Sequence, residues 1–371
     1  MRKYYPGITL FKLLGALLVL LGHVAIPRLF FLYGRVPGLQ QATAAIVPCF
    51  YIISGFLAYR GWTGAARPAA YVRRYLGGLA LVYAVMCGVA VITGNGTPVV
   101  YYAPGAWHNA VLPLVQTYLV YGPYGALWFI PPLLFGVTFC YYFERRGWLR
   151  WAVVLAGVGF LAAQAVSGTL RVLLEAGAGN LAFYHWHYAT LLTQAVTRNL
   201  GWGVPFVLAG VLVARHEAAF MALAGWRLAF LTLGGLALEI LVLRQFVRGT
   251  YTWLTHPLIL ALPLVGLWLF YGVLHLPEMG LRRYQAASNR FSALLYFLHQ
   301  PLLALNLSLS GWAVTDMWNS KLTTGQITQV MALTIMQAGL LTWGVGRLLA
   351  RRPAPRSHPP ADLAQPGQLV G

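Results

Sequence analysis

Leu10–Phe31 reads LFKLLGALLVLLGHVAIPRLFF, and this stretch decides the fold. A helix needs about 20 consecutive apolar residues to cross a bilayer, and the run meets that length. It is too long for the hydrophobic segment of a secretory signal, it contains His23, and no small-residue cleavage pattern ends it. We therefore predict that it is retained as the first membrane-spanning helix.

Comparable apolar runs recur along the 371-residue chain, which is 59% hydrophobic and only 9% charged. Soluble proteins carry about 25% charged residues, so the composition excludes an ordinary soluble domain, and the apolar content excludes a disordered chain. We predict an all-α integral membrane protein with about ten transmembrane helices in one bundle. The predicted spans are Leu10–Phe31, Ala42–Tyr59, Tyr75–Thr93, Ala126–Phe143, Trp151–Ser167, Gly201–Ala214, Leu228–Leu243, Trp253–Leu274, Phe291–Ser310 and Gln326–Leu349.

The distribution of basic residues indicates the orientation. The chain has 26 Lys and Arg against 7 Asp and Glu, a net charge of +19. With the N-terminus inside, 18 of these basic residues fall on the inner side and 7 on the outer side, while Lys12 lies within the first span. Because inner loops of membrane proteins are rich in Lys and Arg, we predict both termini in the cytoplasm of a multi-pass protein of a bacterial plasma membrane. The membrane orientation therefore explains the positive charge, which does not indicate a nucleic-acid partner.

The same pattern divides the chain into two parts. Residues 1–350 form the predicted transmembrane domain, and residues 351–371 form a Pro-rich, polar cytoplasmic tail that we expect to be disordered. We predict no metal site, because His185 and His187 have no carboxylate or Cys nearby at ligand spacing. The sequence leaves the oligomeric state open.

Two ionisable residues lie within the first span. Lys12 and His23 are eleven residues apart, which puts them on one face of a helix about 16 Å apart. Ionisable groups inside a membrane are costly, so a functional role is the default hypothesis. An imidazole suits removal of a proton from a hydroxyl, and a cation suits a phosphate-bearing donor. The alternative is a neutral, hydrogen-bonded His23 with Lys12 extending to the lipid headgroups.

Four segments occur in the order of a known set of motifs. They are Phe11–His23, Pro48–Leu57 (PCFYIISGFL), Leu127–Pro131 (LWFIP) and Ser292–Pro301 (SALLYFLHQP). Together they resemble the signatures of the membrane acyltransferase-3 family over nearly the whole chain. The resemblance implies a ten-helix membrane enzyme that moves an acetyl or other acyl group from cytoplasmic acyl-CoA to an extracytoplasmic hydroxyl.

The resemblance also implies roles for individual residues. His23 occupies the position of the family's proposed catalytic histidine and would be the general base. Lys12, Arg73 and Arg74 would bind the donor, acyl-CoA, which is a cosubstrate and not a permanently bound cofactor. The alternative for Arg73 and Arg74 is that they are ordinary basic residues of an inner loop. The acceptor would be a cell-envelope glycan. This chain departs from the family in having Lys12 in place of Arg and in lacking a second Arg three residues after Arg73 or Arg74.

These departures keep other functions open. Some relatives act as transport modules, so a small-molecule or glycan transporter of the same fold, without acyl-transfer chemistry, is the main alternative. A structural partner in an envelope-assembly complex is a third. No glycine-rich phosphate loop occurs, which argues against an ATP-driven pump.

Further polar and aromatic residues are candidates for lining a substrate channel. They are Ser54, Trp128, Tyr296, His299 and Glu239. Helical periodicity puts Tyr296 and His299 on one face of their span with Ser292 and Asn306. That face is either a polar seam between two helices or one wall of the channel.

Glu239 and the longest outer loop also leave two interpretations open. Glu239 precedes Arg244 and Arg248, so it forms either a structural ion pair or a substrate contact. The loop from Gly94 to Gly125 contains five Tyr and one Trp, which fits either an aromatic belt at the membrane interface or an acceptor-binding surface.

Overall fold

The computed structural model describes residues 3–33, 45–92, 118, 122, 127–178, 189–246, 258–313, 316 and 321–350, and every regular element among them is helical. This confirms the all-α prediction. The α-helices are α1 (Pro6–Tyr33), α2 (Ile46–Thr63), α3 (Pro68–Ile92), α4 (Ile130–Arg145), α5 (Leu149–Ser167), α6 (Thr169–Ala178), α7 (Ala189–Val196), α8 (Val204–Arg215), α9 (Glu217–Met221), α10 (Gly225–Phe246), α11 (Leu262–His275), α12 (Gln285–Leu309) and α13 (Thr324–Ala350). Short 3₁₀-helices cover Leu127–Phe129 and Leu281–Tyr284, and a π-helix covers Thr197–Gly203.

Eight helices of the described part are long and apolar enough to cross a membrane. They are Pro6–Val24, Pro68–Ile92, Leu127–Arg145, Leu149–Ser167, Leu192–Arg215, Gly225–Phe246, Leu281–Leu309 and Thr324–Leu349. The chain is therefore a multi-pass membrane protein. Ile46–Thr63 and the 14-residue helix Leu262–His275 are not among the eight, so the count of ten and the cytoplasmic placement of the termini stay predictions.

Two predicted spans differ most from the helices of the structure. The span predicted to begin at Gly201 is the last part of a longer helical run from Ala189 to Arg215. In the span predicted from Trp253, the described residues 258–261 are not helical, and α11 begins at Leu262 with Pro263 in its first turn. Proline has no N–H to donate and is favoured in the first turn, which explains why the helix begins there.

Helices α2 and α8 form the centre of the larger core. Gly55 on α2 lies against the Val207 carbonyl of α8, and Gly210 on α8 lies against the Ile52 carbonyl of α2, so that a Cβ at either glycine would overlap that carbonyl. Small residues allow this close approach of membrane helices. The fully buried rings of Phe56, Phe206 and Phe270 fill the space around the crossing, with α4, α5 and α11 packed outside it.

Helices α1, α12 and α13 share a second core. Buried aliphatic side chains from all three helices form it: Ala16, Leu20, Val24, Leu295, Leu303, Leu307, Val330 and Ala338. Asn306 of α12 adds polar contacts, because its amide group bonds to Thr334 Oγ1 at 3.1 Å and exchanges hydrogen bonds with Gln337 at 2.9–3.0 Å. The predicted polar seam is therefore present at Asn306.

Charged residues join the helices at one end of the bundle, in what we call the Glu217 cluster. The buried Glu217 carboxylate accepts bonds from Lys3 Nζ at 2.6 Å, from Tyr5 Oη at 3.0 Å and from Arg60. Burial raises the pKa of the Tyr5 hydroxyl, and the nearby Arg60 partly opposes that rise. The cluster ties the start of α1 to the end of α2 and to α9.

Candidate functional site

The structure brings two of the predicted site residues together in the middle of the bundle. His23 of α1 and His299 of α12 stack with ring centroids 5.3 Å apart and planes at 30°. His299 is only 1% exposed, whereas His23 is half-buried. We refer to these residues as the histidine pair.

The hydrogen bonds of His299 define which of its nitrogens is free. Its Nδ1 lies 2.7 Å from the Tyr296 carbonyl and 3.2 Å from the Leu295 carbonyl. A carbonyl only accepts, so Nδ1 carries the proton and Nε2 of the neutral ring is an acceptor. Nε2 is buried and has no partner in the described part of the chain. A buried polar atom without a partner costs about 1–3 kcal/mol, so this nitrogen calls for a functional explanation.

Aromatic rings from three segments surround the pair. The Tyr296 ring lies edge-on to His299 at 6.1 Å, and it contacts Phe129 at 4.7 Å and Phe50 at 5.9 Å. Tyr51 Oη donates to the Phe129 carbonyl at 3.0 Å. The first turn of α2, the 3₁₀-helix and α12 therefore form one aromatic wall beside the histidines.

Trp128 belongs to the same 3₁₀-helix, but its ring lies against the π-helix. It contacts the Trp202 ring at 5.6 Å, and the Arg198 guanidinium lies 5.0 Å from its centroid. π-helical turns are rare and occur often at functional sites. Arg198 does not stand out in the sequence, because its contact with Trp128 depends on packing between distant segments.

The predicted donor-binding residues do not come together. Lys12 is half-buried on α1, eleven residues before His23, and its ammonium makes no hydrogen bond or ion pair with the residues that the structure describes. Arg73 and Arg74 are exposed near the start of α3. Ser54 is half-buried on α2 and hydrogen-bonds to Tyr75 of α3.

Glu239 lies in a separate, fully bonded site. Its carboxylate accepts hydrogen bonds from the Leu260 N–H at 2.7 Å, from the Ala261 N–H at 2.9 Å and from the Thr169 hydroxyl. These N–H groups immediately precede α11, where free N–H groups need an acceptor. Glu239 therefore caps α11, while Arg244 is exposed and Arg248 lies outside the described residues.

Three predictions fall wholly or largely outside the described residues. These are the aromatic loop from Gly94 to Gly125, the pair His185 and His187, and the tail of residues 351–371. Among the residues that are described, no group of three or more His, Cys, Asp or Glu side chains is arranged to hold a metal ion.

A comparison with protein-family models identifies the family of this chain. A family model described as an acyltransferase domain, that of the acyltransferase-3 family, matches residues 5–337. The chain belongs to this family. No curated protein and no solved structure matches it. The protein is therefore a membrane acyltransferase, as the four motifs indicated, and the matched range includes both histidines and their aromatic wall.

Proposed function

We propose that this acyltransferase moves an acyl group, most simply acetyl, from cytoplasmic acyl-CoA to a hydroxyl of an extracytoplasmic cell-envelope glycan, with His23 as the general base. The observation that carries the proposal is the histidine pair, in which a half-buried imidazole lies against a fully buried one inside an apolar bundle. Family membership supplies the reaction class, and the pair supplies the proton acceptor that this reaction needs.

The proposed reaction is a direct transfer. As the acceptor oxygen attacks the thioester carbonyl, neutral His23 takes the hydroxyl proton, and a carbon–oxygen bond forms. The carbon–sulfur bond then breaks, and the His23 imidazolium returns its proton to the departing CoA sulfur. The products are the O-acyl ester and CoA with a free thiol, and the imidazole is neutral again.

The second imidazole limits the pair to one positive charge. Two positive charges at the 5.3 Å ring separation would repel by about 3 kcal/mol at an effective dielectric constant of 20. His299 therefore stays neutral while His23 is charged. The unpartnered Nε2 of His299 can accept a hydrogen bond from a second, neighbouring hydroxyl of the glycan, which leaves the single proton of the reacting hydroxyl to His23.

The remaining predicted residues would serve the two substrates. We propose that Lys12, Arg73 and Arg74 attract the negatively charged donor from the cytoplasmic side. Trp128 and Tyr296 would offer aromatic faces and edges to the acceptor, and Ser54 would line the path between α2 and α3.

The test is the replacement His23→Ala in the full chain, purified in nanodiscs. Thiol release from acetyl-CoA is measured in the presence of cell-envelope glycan, and we expect it to fall at least about 100-fold because general-base catalysis is lost. The thermal midpoint should stay near that of the unmodified protein. His275→Ala is the control, because His275 is exposed at the end of α11, outside the histidine pair. Full transfer by His23→Ala would overturn the assignment of the base.

A further inference from the structure

A cavity of about 470 Å³ opens at the end of the bundle where α2 and α4 end and α3 begins. Its size is within the range of small-molecule sites. The residues that line it are Trp62, Thr63, Arg67, Pro68, Ala69, Tyr141, Glu144 and Arg145. It includes none of the residues assigned above to the donor, the base or the acceptor.

The charges around this cavity favour an anion. Arg67 and Arg145 line it with exposed guanidinium groups, and the first turn of α3 contributes the positive end of a helix dipole. Glu144 is the acidic residue of the lining, and its carboxylate is paired with Arg215 at 3.0 Å. Guanidinium groups bind phosphate with two parallel hydrogen bonds, so a phosphorylated ligand fits this chemistry.

The other walls are flat and apolar. The Trp62 and Tyr141 rings contact each other at 5.5 Å, and because Trp62 is only 3% exposed, Tyr141 is the ring that offers its surface to a ligand. Pro68 and Ala69 also line the cavity. A planar, aromatic group attached to the phosphates would rest against these side chains.

The position of the cavity relative to the histidine pair limits the kind of ligand. Trp62 lies near the end of α2, and Phe50, whose ring packs against Tyr296 of the aromatic wall, lies 12 residues earlier on the same helix. Twelve helical residues span about 18 Å. A ligand held at the cavity therefore reaches the histidines only if its reactive group is carried on a long, flexible arm.

We propose that this cavity binds the phosphorylated nucleotide end of the acyl donor, with Arg67 and Arg145 on the phosphates and the purine against Tyr141. The inference rests on the proposed function, because acyl-CoA combines such an end with a pantetheine arm that carries the acyl group. It assigns nucleotide binding to two arginines that are distinct from Arg73 and Arg74.

Adenosine 3′,5′-bisphosphate tests this proposal, since it has the nucleotide end without the arm. Its affinity is measured with the full chain in nanodiscs of zwitterionic lipid. We expect Arg67→Gln and Arg145→Gln each to weaken binding about tenfold or more, which corresponds to one lost charge-assisted contact. Ala69→Trp should also weaken binding, because its indole would fill the cavity without changing any charge.

Arg146→Gln is the matched control. Arg146 follows Arg145 in the sequence, but its guanidinium lies over the Tyr142 and Trp148 rings and does not line the cavity. It should bind the bisphosphate as the unmodified protein does. Equal affinity in Arg67→Gln, Arg145→Gln and the unmodified protein would overturn the proposal. Stabilisation by phosphatidylglycerol but not by the bisphosphate would overturn it as well, because the cavity would then be a lipid headgroup site.

Transfer kinetics separate this inference from the proposed function. If acetyl-CoA supports transfer with an unchanged KM in Arg67→Gln and Arg145→Gln, the cavity assignment is wrong and the proposed function stands. If the unmodified protein shows no transfer but binds the bisphosphate in a way that depends on both arginines, the cavity assignment stands and the proposed function is wrong.

Discussion

Glu239 and His299 are both buried polar side chains in an apolar bundle, but their bonding differs. Glu239 is 8% exposed, and both of its oxygens accept hydrogen bonds from the residues that lead into α11. His299 is 1% exposed, and its Nε2 bonds to nothing in the described part of the chain. Both side chains were predicted channel residues, and the sequence did not distinguish between them.

The difference indicates two kinds of role. A fully bonded carboxylate contributes to stability, because its removal leaves buried N–H groups without an acceptor. A nitrogen that is left without a partner lowers stability and is retained where it serves function. The comparison therefore predicts opposite consequences for the two replacements, in stability and in transfer.

The largest effect is expected for His299→Leu. Transfer should fall about 100-fold, because the acceptor glycan loses the Nε2 that accepts from its neighbouring hydroxyl and so positions the reacting hydroxyl beside His23. The thermal midpoint should stay the same or rise, because an unpartnered polar atom is replaced by an apolar side chain. Thiol release and thermal unfolding are measured on the same preparation.

His275→Leu is the matched control for this replacement. Its Nδ1 makes the same kind of bond to a carbonyl four residues earlier, at 2.9 Å from Tyr271, but on the exposed end of α11. It should leave transfer unchanged. A fall in both the transfer rate and the thermal midpoint of His299→Leu would show that the second histidine serves packing, and the comparison would fail.

The second-largest effect is expected for Glu239→Gln. The amide NH₂ cannot accept the hydrogen bonds that the carboxylate accepts, so we expect a loss of about 2–3 kcal/mol in stability. The transfer rate per folded molecule should be unchanged. Glu175→Gln is the control, because Glu175 forms only a partly exposed pair with Arg171 at 2.9 Å, worth about 0.5 kcal/mol. Retained stability in Glu239→Gln would contradict its capping role.

The smallest effect is expected for Gly210→Ala, which changes packing without touching a polar side chain. Its new Cβ would meet the Ile52 carbonyl, so α2 and α8 must separate slightly, at a cost of about 1–2 kcal/mol. Gly234→Ala on α10 is the control, since open space surrounds that position. Equal thermal midpoints for Gly210→Ala and Gly234→Ala would contradict the close approach of α2 and α8. The expected difference between them is a reference with which the stability loss of Glu239→Gln can be compared.

Much of the fold could be predicted because membrane helices have a strong local signal. The long apolar runs predicted an all-helical membrane protein, and the four short motifs predicted the family. His23 was singled out because an ionisable residue inside an apolar run is conspicuous by itself. The predicted span from Trp253 includes residues 258–261, which precede α11 and are not helical, because the apolar pattern continues through them.

The remaining features of the site could not be predicted from the sequence, because they depend on contacts between distant segments. The pairing of His23 with His299 requires the packing register of α1 against α12, which helical periodicity alone does not determine. The role of Glu239 depends on Leu260 and Ala261, which meet it through the packing of α10 against α11. The cavity likewise combines residues 62–69 with residues 141–145, two segments that neither charge nor hydropathy connects.

The Glu217 cluster has a consequence for how the enzyme can be handled. Lys3 and Tyr5 anchor the first residues of the chain to Glu217, and α1 rises from that anchor toward His23. A slip of α1 by one residue moves it by about 1.5 Å and turns it by about 100°, which would swing the imidazole away from His299. Removal of Lys3 and Tyr5 by truncation would therefore free the start of α1, and we expect such a variant to lose the stacking of His23 on His299.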